Sequence, residues 1–449
     1  METKKKGFPA AFWVCACTEI FERLAYYLGR SLILIFVTAS VATGGLGLSD
    51  TVAANMQSNL TAFSYLLPLF GAVIVDKYIG ARYTTPVGMF IAAAGYFTGG
   101  IAKSSAGVYA MIFLVSLGLA LFKNGAIIGR VITDKSQMDP AFSMRYTLVN
   151  VGAFIGTFLV GILYKDVFAK DGVLGFAPCF KMAALMMVLG GLWYIFVCWR
   201  FLGDLGKLPF KKTLTEEEKA AEAKKKEETG TKQPLTTIEK KRIGAIFVAS
   251  VFSIVFWIFW YLGYMPVYFY WAENMDWVVA GYQVPSTWFD AANSLFCVIL
   301  GPVTAALWKK LAARPQGDMS LFRKTGLGIA IIGVGYLFYA AIDIMRGGEK
   351  ASVLWLIVFA FLLTMGEMFF SPLGHSFISK YSPSRYLAVM MSVWGFATFI
   401  AAKSYGPVYG LLFGGKIEFK VACIGVAVVS FAAALIMIAL DKTLSALVD

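Results

Sequence analysis

Residues 19–30 read Glu19-Ile20-Phe21-Glu22-Arg23-Leu24-Ala25-Tyr26-Tyr27-Leu28-Gly29-Arg30 and lie inside an apolar run from about residue 8 to residue 38. A helix of that length crosses a hydrocarbon core of about 30 Å, because each residue adds about 1.5 Å. At about 100° per residue, positions 19, 22, 23, 26 and 30 share one face of the helix. The stretch therefore predicts a membrane helix with a charged stripe along one side.

Charged side chains inside a bilayer are costly. Each costs at least about 2.5–3.5 kcal/mol near the membrane centre. Two carboxylates and two guanidinium groups on one helix therefore indicate a water-filled cavity or pairing among the charges. The structural interpretation is an ion-pair cluster that fastens helices together, and the functional one, which we favour, is a pathway for a substrate or for protons.

The composition is that of a polytopic membrane protein. The chain has 449 residues, of which 59% are hydrophobic and 15% charged, and its mean hydropathy is +0.70. Soluble domains carry about 25% charged residues. Lys4–Lys6 precede a full-length span without a small-residue cleavage site, so we expect no cleaved signal peptide. The six cysteines have neither zinc nor redox spacing, and we expect no disulfide framework, metal site or cofactor.

Hydropathy predicts an all-α membrane protein with twelve transmembrane helices. The apolar runs lie at about 9–38, 50–75, 83–102, 106–130, 142–164, 180–201, 242–266, 285–308, 325–343, 352–379, 387–413 and 419–440. The longest loop divides them into an N-terminal six-helix bundle, residues 1–201, and a C-terminal six-helix bundle, residues 242–449. In the linker, residues 202–241, acidic residues precede basic ones, which predicts a cytoplasmic helix capped by Thr215.

The formal net charge of +13 follows from the membrane topology. Lys and Arg outside the spans are concentrated in the loops on the side of the two termini, for example at Lys4–Lys6, Arg130, Lys309 and Arg314. Such loops stay in the cytoplasm, so we expect both termini there and the chain in the cytoplasmic (inner) membrane. The excess charge therefore does not indicate a nucleic-acid partner.

Two six-helix halves joined by a long cytoplasmic linker resemble the major facilitator superfamily. The loop between predicted spans 2 and 3 reads Gly71-Ala-Val-Ile-Val-Asp76-Lys77-Tyr-Ile-Gly80-Ala-Arg82, which is similar to a loop signature of that superfamily. Gly71 and Gly80 permit close backbone approach and a tight turn. Asp76 and Arg82 are expected in a charge network that closes the inner side, so the motif predicts gating and not a substrate.

The charged stripe also resembles the proton-dependent oligopeptide transporter (POT/PTR) family of this superfamily. Glu19, Glu22 and Arg23 match its Glu-x-x-Glu-Arg pattern. Further matches follow in the family's order: Tyr65 before Pro68-Leu-Phe-Gly71, Phe122-Lys123-Asn124, Phe142 to Asn150, Trp288 to Asn293, Gly366-Glu367 to Gly374, and Trp394. The resemblance covers nearly the whole membrane portion.

The resemblance implies a proton-coupled symporter that imports di- and tripeptides by alternating access, as a monomer in the lipid bilayer. The implied proton-coupling residues are Glu19, Glu22, Arg23 and Lys123. The implied substrate-binding residues are Arg23, Tyr26, Tyr27, Tyr65, Lys123, Asn150, Asn293, Glu367, Ser371 and Trp394. Arg23, Lys123 and Tyr26 would attract the carboxylate of the peptide. Glu367 and Asn293 would receive its ammonium group.

The distribution of charges supports the same assignment. A peptide is a zwitterion, and Arg23 and Lys123 lie in the first six spans whereas Glu367 lies in the last six. A ligand that joins the two halves at the membrane midplane couples its binding to alternating access. If the substrate carboxylate takes a cation from a glutamate, that glutamate can accept a proton, which would link the two fluxes.

Span 7 departs from the family pattern. The family usually has an acid there that pairs with the arginine matching Arg30, and this sequence has Tyr261 at that position. Span 8 has Asp290 where the family commonly has Gln. We therefore predict that Asp290 replaces the missing acid and forms a gate with Arg30. Lys403 in span 11 is a second departure from the family pattern.

Three alternative functions remain. The same fold could carry another small zwitterion or anion, such as a peptidomimetic, an amino acid derivative or a nitrate-like ion. A non-transporting sensor with this fold would bind its ligand without moving it. A membrane enzyme is not favoured, because the sequence has no His/Asp or Cys cluster, no phosphate-cradling loop and no Ser-x-x-Lys pattern placed for catalysis.

Overall fold

The computed structural model describes residues 7–132, 137–209, 235–315, 319–370, 374, 377–378, 381–383 and 386–448, most of which are helical. The helices before the linker are α1 (Ala10–Thr38), α2 (Asp50–Lys77), α3 (Ala81–Gly100), α4 (Ser105–Leu121), α5 (Asn124–Val131), α6 (Met138–Ile162) and α7 (Phe176–Arg200). Those after it are α8 (Thr237–Leu262), α9 (Met265–Tyr268), α10 (Tyr270–Asn274), α11 (Trp288–Ala312), α12 (Leu321–Met345), α13 (Trp355–Phe370), α14 (Leu387–Leu412), α15 (Phe419–Ala439) and α16 (Asp441–Val448).

A helix overlaps each of the predicted apolar runs. Eight helical segments are long and apolar enough to cross a membrane: Asp50–Lys77, Ser105–Val131, Pro140–Val167, Phe176–Arg200, Thr237–Asn274, Trp288–Ala312, Leu321–Met345 and Phe419–Ala439. α1 is also long, at 29 residues, but carries the predicted charged stripe. The chain is therefore a multi-pass helical membrane protein, and the count of twelve crossing helices stays a prediction.

The outward faces of the helices suit a bilayer. In α15, Ala422 and Ala433 are buried, whereas Val421, Val428 and Leu435 are more than half exposed. Small residues inside a membrane bundle let helix backbones approach each other, and large apolar residues outside face lipid. A soluble helix would bury those larger side chains instead.

Predicted span 4 is interrupted in the middle. α4 ends at Leu121 and α5 begins at Asn124, with Phe122 extended between them (φ −74°, ψ 104°). The backbone N–H of Lys123 donates to Thr85 Oγ1 at 3.3 Å, which satisfies one of the groups that the break releases. Hydropathy does not predict this interruption of the helix, because the apolar run continues through it.

Four two-residue strands depart from the all-helical prediction. β1 (Met275–Asp276) pairs in parallel with β4 (Ala351–Ser352), and β2 (Val278–Val279) pairs antiparallel with β3 (Tyr282–Gln283). Ala280 and Gly281, between β2 and β3, have φ values of +50° and +81°. Two successive positive φ values are those of a tight hairpin turn, which hydropathy does not predict.

The chain divides into two compact units. Unit 1 contains Met1–Leu48 and Leu66–Leu214, and unit 2 contains Ser49–Tyr65 and Thr215–Asp449. In unit 1, α1 packs against α6 and α7, and α3 packs against α4 and α7. In unit 2, α12 packs against α13 and α15, and α8 packs against α14. The predicted linker helix, with its cap Thr215, lies outside the described residues.

α2 belongs to both units. Its first half packs on α14 in unit 2, where Ser58 Oγ donates to Ala402 O at 2.7 Å. Its second half packs on α4 in unit 1, where a Cβ on Gly71 would lie 1.9 Å from Ala120 O. No side chain fits in that space, so the predicted close backbone approach at Gly71 is confirmed.

Candidate functional site

α6 lies directly against the charged face of α1 because two glycines remove the side chains between them. A Cβ on Gly156 would lie 2.4 Å from Leu24 O, and a Cβ on Gly152 would lie 3.0 Å from Arg23 Cβ. The polar end of α6, two turns before Gly152, carries Arg145. The helix contact thus brings a second arginine to the charged stripe.

Five side chains of unit 1 form what we call the amino-terminal cluster: Glu19, Glu22, Arg23, Asn124 and Arg145. Glu19 is only 2% exposed. Arg145 Nε donates to Glu19 Oε1 at 3.0 Å, and Asn124 Nδ2 donates to the same oxygen at 3.1 Å. Because these partners lie on α6 and α5, the buried Glu19 carboxylate joins three helices.

Glu22 and Arg23 form the second ion pair of the cluster. Glu22 is fully buried, and Arg23 donates to it through both Nε and Nη2, the latter at 2.5 Å from Oε1. Arg23 Cζ lies 4.9 Å from the ring centroid of Tyr26, a cation–π distance. The Tyr26 ring meets that of Tyr27 edge-on at 5.3 Å. The structure therefore brings these four predicted residues together.

Lys123 lies at the helix break, and its described hydrogen bond is not to a glutamate. Its Nζ donates to Pro68 O, in α2, at 2.8 Å. Among the described residues, the cation bonded to Glu19 is Arg145. Arg145 is absent from the predicted site residues, although the cost of a charge inside a span applies to predicted span 5 as it does to span 1.

Two further predicted residues lie on α6 and α1. Asn150 Nδ2 donates to Tyr146 O, one turn earlier in its own helix, at 3.0 Å. Arg30, seven residues beyond Arg23, is 4% exposed. Their roles in peptide binding and gating stay predictions.

In unit 2, four side chains form what we call the carboxyl-terminal cluster: Asn293, Cys297, Thr364 and Glu367. Glu367 is 8% exposed. Asn293 Nδ2 donates to Glu367 Oε2 at 3.2 Å and to Thr364 Oγ1 at 2.8 Å, and Cys297 Sγ lies 3.7 Å from the same carboxylate oxygen. These partners are uncharged, so an ionised Glu367 lacks a cation among the described residues of the cluster. Thr364 and Cys297 are absent from the predicted site residues. They are uncharged residues within apolar spans, so hydropathy does not distinguish them from their neighbours.

Trp394 is packed among other side chains of unit 2. It is 9% exposed and stacks at 6.4 Å on Phe370. A Cβ on Gly374 would lie 2.1 Å from the Trp394 ring, so that glycine leaves the space that the indole fills. Ser371, the other substrate-binding residue predicted near it, lies outside the described residues.

Tyr261, where the family pattern has an acid, belongs to a neutral network within unit 2. Its OH donates to Tyr65 OH at 3.1 Å, and its ring stacks at 5.0 Å on Tyr405. Tyr405 OH donates to Gln57 Oε1 at 3.1 Å. The network connects the first half of α2 with α8 and α14, and it places the predicted residue Tyr65 there.

The predicted gate acid Asp290 has a partner of its own. It is 5% exposed and accepts a hydrogen bond from Tyr268 OH. Lys403, the other departure from the family pattern, donates from Nζ to Asn59 Oδ1. Arg30 belongs to unit 1 and Asp290 to unit 2, and a pairing between them stays a prediction.

Arg82 fastens the start of α3 to the segment that follows α7. Its Nη1 donates to Gly203 O in that segment, and its Nη2 donates to Cys198 O, in the last turn of α7, at 2.6 Å. A Cβ on Gly80 would lie 2.1 Å from Gly206 O, which confirms the predicted close approach. The φ of Gly80 is an ordinary −65°, so space and not a turn conformation requires the glycine. Asp76 lies in the last turn of α2, and the gating role of this loop stays a prediction.

Recognition and proton exchange are the chemistry that these side chains offer. Within the described ranges, no three His, Cys or acidic side chains lie close enough together to hold a metal ion. All six cysteines are free thiols. The cations of unit 1 can bind a carboxylate, and the buried acid of unit 2 can bind a cation or a proton.

Comparison with known proteins places the chain among transporters. A sequence profile of the POT family (PTR2) matches residues 205–413. An uncharacterized transporter, YclF, of Bacillus subtilis (strain 168) is 25% identical over 439 residues, covering 89% of this chain and 87% of the relative. A di-/tripeptide transporter of Lactococcus lactis subsp. cremoris is 24% identical over 440 residues, covering 86% of each.

Solved structures have a similar fold over the whole length. The crystal structure of peptide transporter POT in complex with sulfate is 23% identical, with a TM-score of 0.86 over 100% of this chain and 97% of that chain. A POT family transporter in complex with 5-aminolevulinic acid is also 23% identical, with a TM-score of 0.85 over 98% of each. At this identity the likeness establishes the fold.

Proposed function

We propose that the chain is a member of the POT family of transporters and a proton-coupled symporter that imports di- and tripeptides by alternating access. Relatives that match nearly the full length are named di-/tripeptide transporters. The amino-terminal and carboxyl-terminal clusters supply the charges that a peptide's two ends require. The chain is accordingly a transporter and not an enzyme.

The observation that carries the proposal is the environment of Glu367. Its hydrogen-bond partners Asn293 and Cys297 are uncharged, and the carboxylate is nearly buried. A buried carboxylate without a cation is costly, and a ligand that brings a cation relieves the cost. The ammonium group of a peptide is such a cation. Asn293 then positions the carboxylate and receives the ammonium group with it.

The carboxylate end of the peptide binds the cations of unit 1. Arg23 is held by Glu22, and Lys123 is held by the carbonyl of Pro68, so both donate to groups that a carboxylate can replace. When the substrate draws Arg23 away, Glu22 is left buried without a cation and takes up a proton instead. Peptide and proton are bound together by this exchange.

Transport by this mechanism requires a pathway across the whole bilayer. We propose twelve crossing helices in two six-helix bundles, with α1, α3, α13 and α14 completing the set of apolar spans. Both termini lie in the cytoplasm, and the protein works as a monomer. The accumulation of Lys and Arg in alternate loops supports this orientation.

Uptake into liposomes tests the proposal. The purified protein is reconstituted, and entry of a labelled dipeptide is measured with an acidic exterior, with equal pH on both sides, and after dissipation of the gradient. We expect accumulation only with the acidic exterior. Glu367→Gln should lower uptake at least about tenfold, because the ammonium group loses its counter-charge. Glu22→Gln should abolish the dependence on the gradient.

The matched control is Glu418→Gln, which removes a carboxylate that is 70% exposed and lies outside both clusters. It should transport as the unchanged protein does. Accumulation of dipeptide without a proton gradient, or unchanged uptake by Glu367→Gln, would contradict the proposal. Binding of dipeptide without any uptake would instead indicate a sensor.

A second candidate keeps the mechanism and changes the cargo to another small zwitterion. One solved POT family transporter holds 5-aminolevulinic acid, which has an amino group and a carboxylate but no peptide bond. Competition decides between the two cargoes. Unlabelled di- and tripeptides should displace the labelled dipeptide at lower concentration than single amino acids, 5-aminolevulinic acid or nitrate.

A further inference from the structure

We propose that Arg145, on α6, is the counter-ion of Glu19 and a positioning residue of the proton-coupling cluster, a role that leaves Lys123 to the carboxylate of the substrate. The inference deepens the proposed function and rests on it. Neither the family pattern nor the sequence assigns a role to this arginine.

The cluster contains two parallel ion pairs. Glu19 and Glu22, one turn apart on α1, are both nearly inaccessible, and each has its own arginine. The side chains of Arg23 and Arg145 are 26% and 31% exposed. The two carboxylates therefore lie inside the unit, whereas part of each arginine side chain is accessible from its exterior.

Charge balance depends on Arg145. Within the described part of the chain, the charged groups that interact with Glu19 and Glu22 are Arg23 from α1 and Arg145 from α6. Asn124 from α5, and the thiols and phenol of the α1–α7 core, Cys15, Cys198 and Tyr194, add no charge. Two acids and two arginines sum to zero. With Glu19 bonded to Arg145, Lys123 is not needed as its counter-ion, and the Lys123 ammonium group bonds Pro68 O instead.

The surroundings of Arg145 fit a planar guanidinium group. A Cβ on Gly125 would lie 3.1 Å from Arg145 Cζ, so the glycine leaves the space in which the side chain passes α5. Asn124, the residue before it, donates to Cys15 O at 2.8 Å as well as to Glu19. α5 is thereby fixed to α1 at the point where Arg145 reaches Glu19.

The division of roles gives the two glutamates different functions. Glu19 is held by side chains from two other helices, so its pair keeps the helices in register. Glu22 is held only by its neighbour Arg23 in the described hydrogen bonds. The substrate can therefore open the Glu22–Arg23 pair without disturbing the Glu19–Arg145 pair.

The test is a double-mutant cycle in liposomes with Glu19→Gln, Arg145→Gln and the two combined. Arg145→Gln should lower gradient-driven dipeptide uptake about tenfold and move its pH dependence to higher pH, because a buried carboxylate that has lost its cation is neutralised by a proton. The double variant should recover exchange of dipeptide across the membrane relative to Arg145→Gln. Arg145→Lys should restore the pH profile in part.

The matched control is Arg346→Gln, which breaks an arginine–aspartate pair of similar length, 2.8 Å to Asp343, in unit 2. It should leave the pH profile of uptake unchanged. An unchanged pH profile in Arg145→Gln, or effects in the double variant that merely add, would overturn the inference.

Thermal stability keeps the two proposals separable. If the unchanged protein takes up no dipeptide, the proposed function fails, but the same cycle can be read from melting temperatures in detergent. A double variant that melts above Arg145→Gln shows the counter-ion role. Melting temperatures that merely add would reject it. If Arg145→Gln does not fold, Gly125→Val, which displaces the guanidinium group and keeps its charge, should give the same change in pH profile, and an unaltered profile would count against the role.

Discussion

At the scale of single residues, Tyr261 is a neutral side chain at a position where the family pattern has an acid. The resemblance implies an acid there, and the structure has a phenol that donates to Tyr65 and stacks on Tyr405. A neutral network needs no counter-ion from another part of the protein. If a charged gate exists, its acid must therefore come from another position, and Asp290 is the predicted source.

Asp290→Asn tests that source directly. Asn keeps an oxygen that can accept the hydrogen bond of Tyr268, so folding should be preserved while the charge is lost. If Asp290 pairs with Arg30 during the transport cycle, uptake should fall about tenfold with normal expression. Unchanged uptake would exclude a gating role for the charge of Asp290. Uptake into liposomes is measured for Asp290→Asn and for the unchanged protein, and size-exclusion profiles of both check that the variant is folded.

The partners of two cations of unit 1, Lys123 and Arg145, could not be predicted from the sequence. A sequence pattern ranks Lys123 as the partner of the glutamates, because the family signature contains it. The choice between Lys123 and Arg145 depends on a backbone break of two residues and on glycines that let α6 approach α1. Neither quantity is visible in hydropathy or in motif spacing.

At the scale of elements, the contact between α1 and α6 is the frame on which the amino-terminal cluster is built. Gly152 and Gly156 set the distance between the helices, and Gly71 does the same for α2 and α4. Gly125 leaves room on α5 for the Arg145 side chain. Helix contacts in membranes depend on such small residues, because lipid supplies no hydrophobic force between apolar helices. The distances between the side chains of the amino-terminal cluster therefore depend on these glycine contacts.

Gly156→Val should separate α1 from α6 and destabilise the protein by about 1–3 kcal/mol or more, as overpacking does. Gly425→Val, on α15, is the control, because a Cβ at that position meets no atom within 4 Å. Melting temperatures in detergent should fall for the first variant and stay within error for the second. Equal melting temperatures would mean that the helices shift at no cost.

At the scale of the whole molecule, hydropathy predicted where the helices lie along the chain, and charge predicts their orientation in the membrane. The predicted runs each contain a helix because about 20 apolar residues leave the backbone no other stable state in lipid. The interruption at Phe122, the short strands and the assignment of α2 to two units could not be predicted. Those features depend on contacts between segments that are distant in sequence, such as Ser58 with Ala402.

Cysteine labelling tests the proposed orientation. Glu349 and Lys207 are exposed in loops, on opposite sides of the membrane if both termini are cytoplasmic. Glu349→Cys should react with a membrane-impermeant maleimide in intact cells, and Lys207→Cys only after permeabilisation. The unchanged protein, with its own six thiols, gives the background. The reverse pattern would invert the topology.

The sharing of α2 between the units affects which parts of the protein can be exchanged by recombination. A crossover in the linker would transfer residues 215–449 to a related chain and leave Ser49–Tyr65 behind, although that segment folds with them. The foreign helix would then have to supply a hydroxyl that donates to Ala402 O, as Ser58 does, and an oxygen that accepts from Tyr405 OH, as Gln57 does. Unit 2 therefore consists of two separate segments of the chain, and a functional chimaera should need both segments from the same parent.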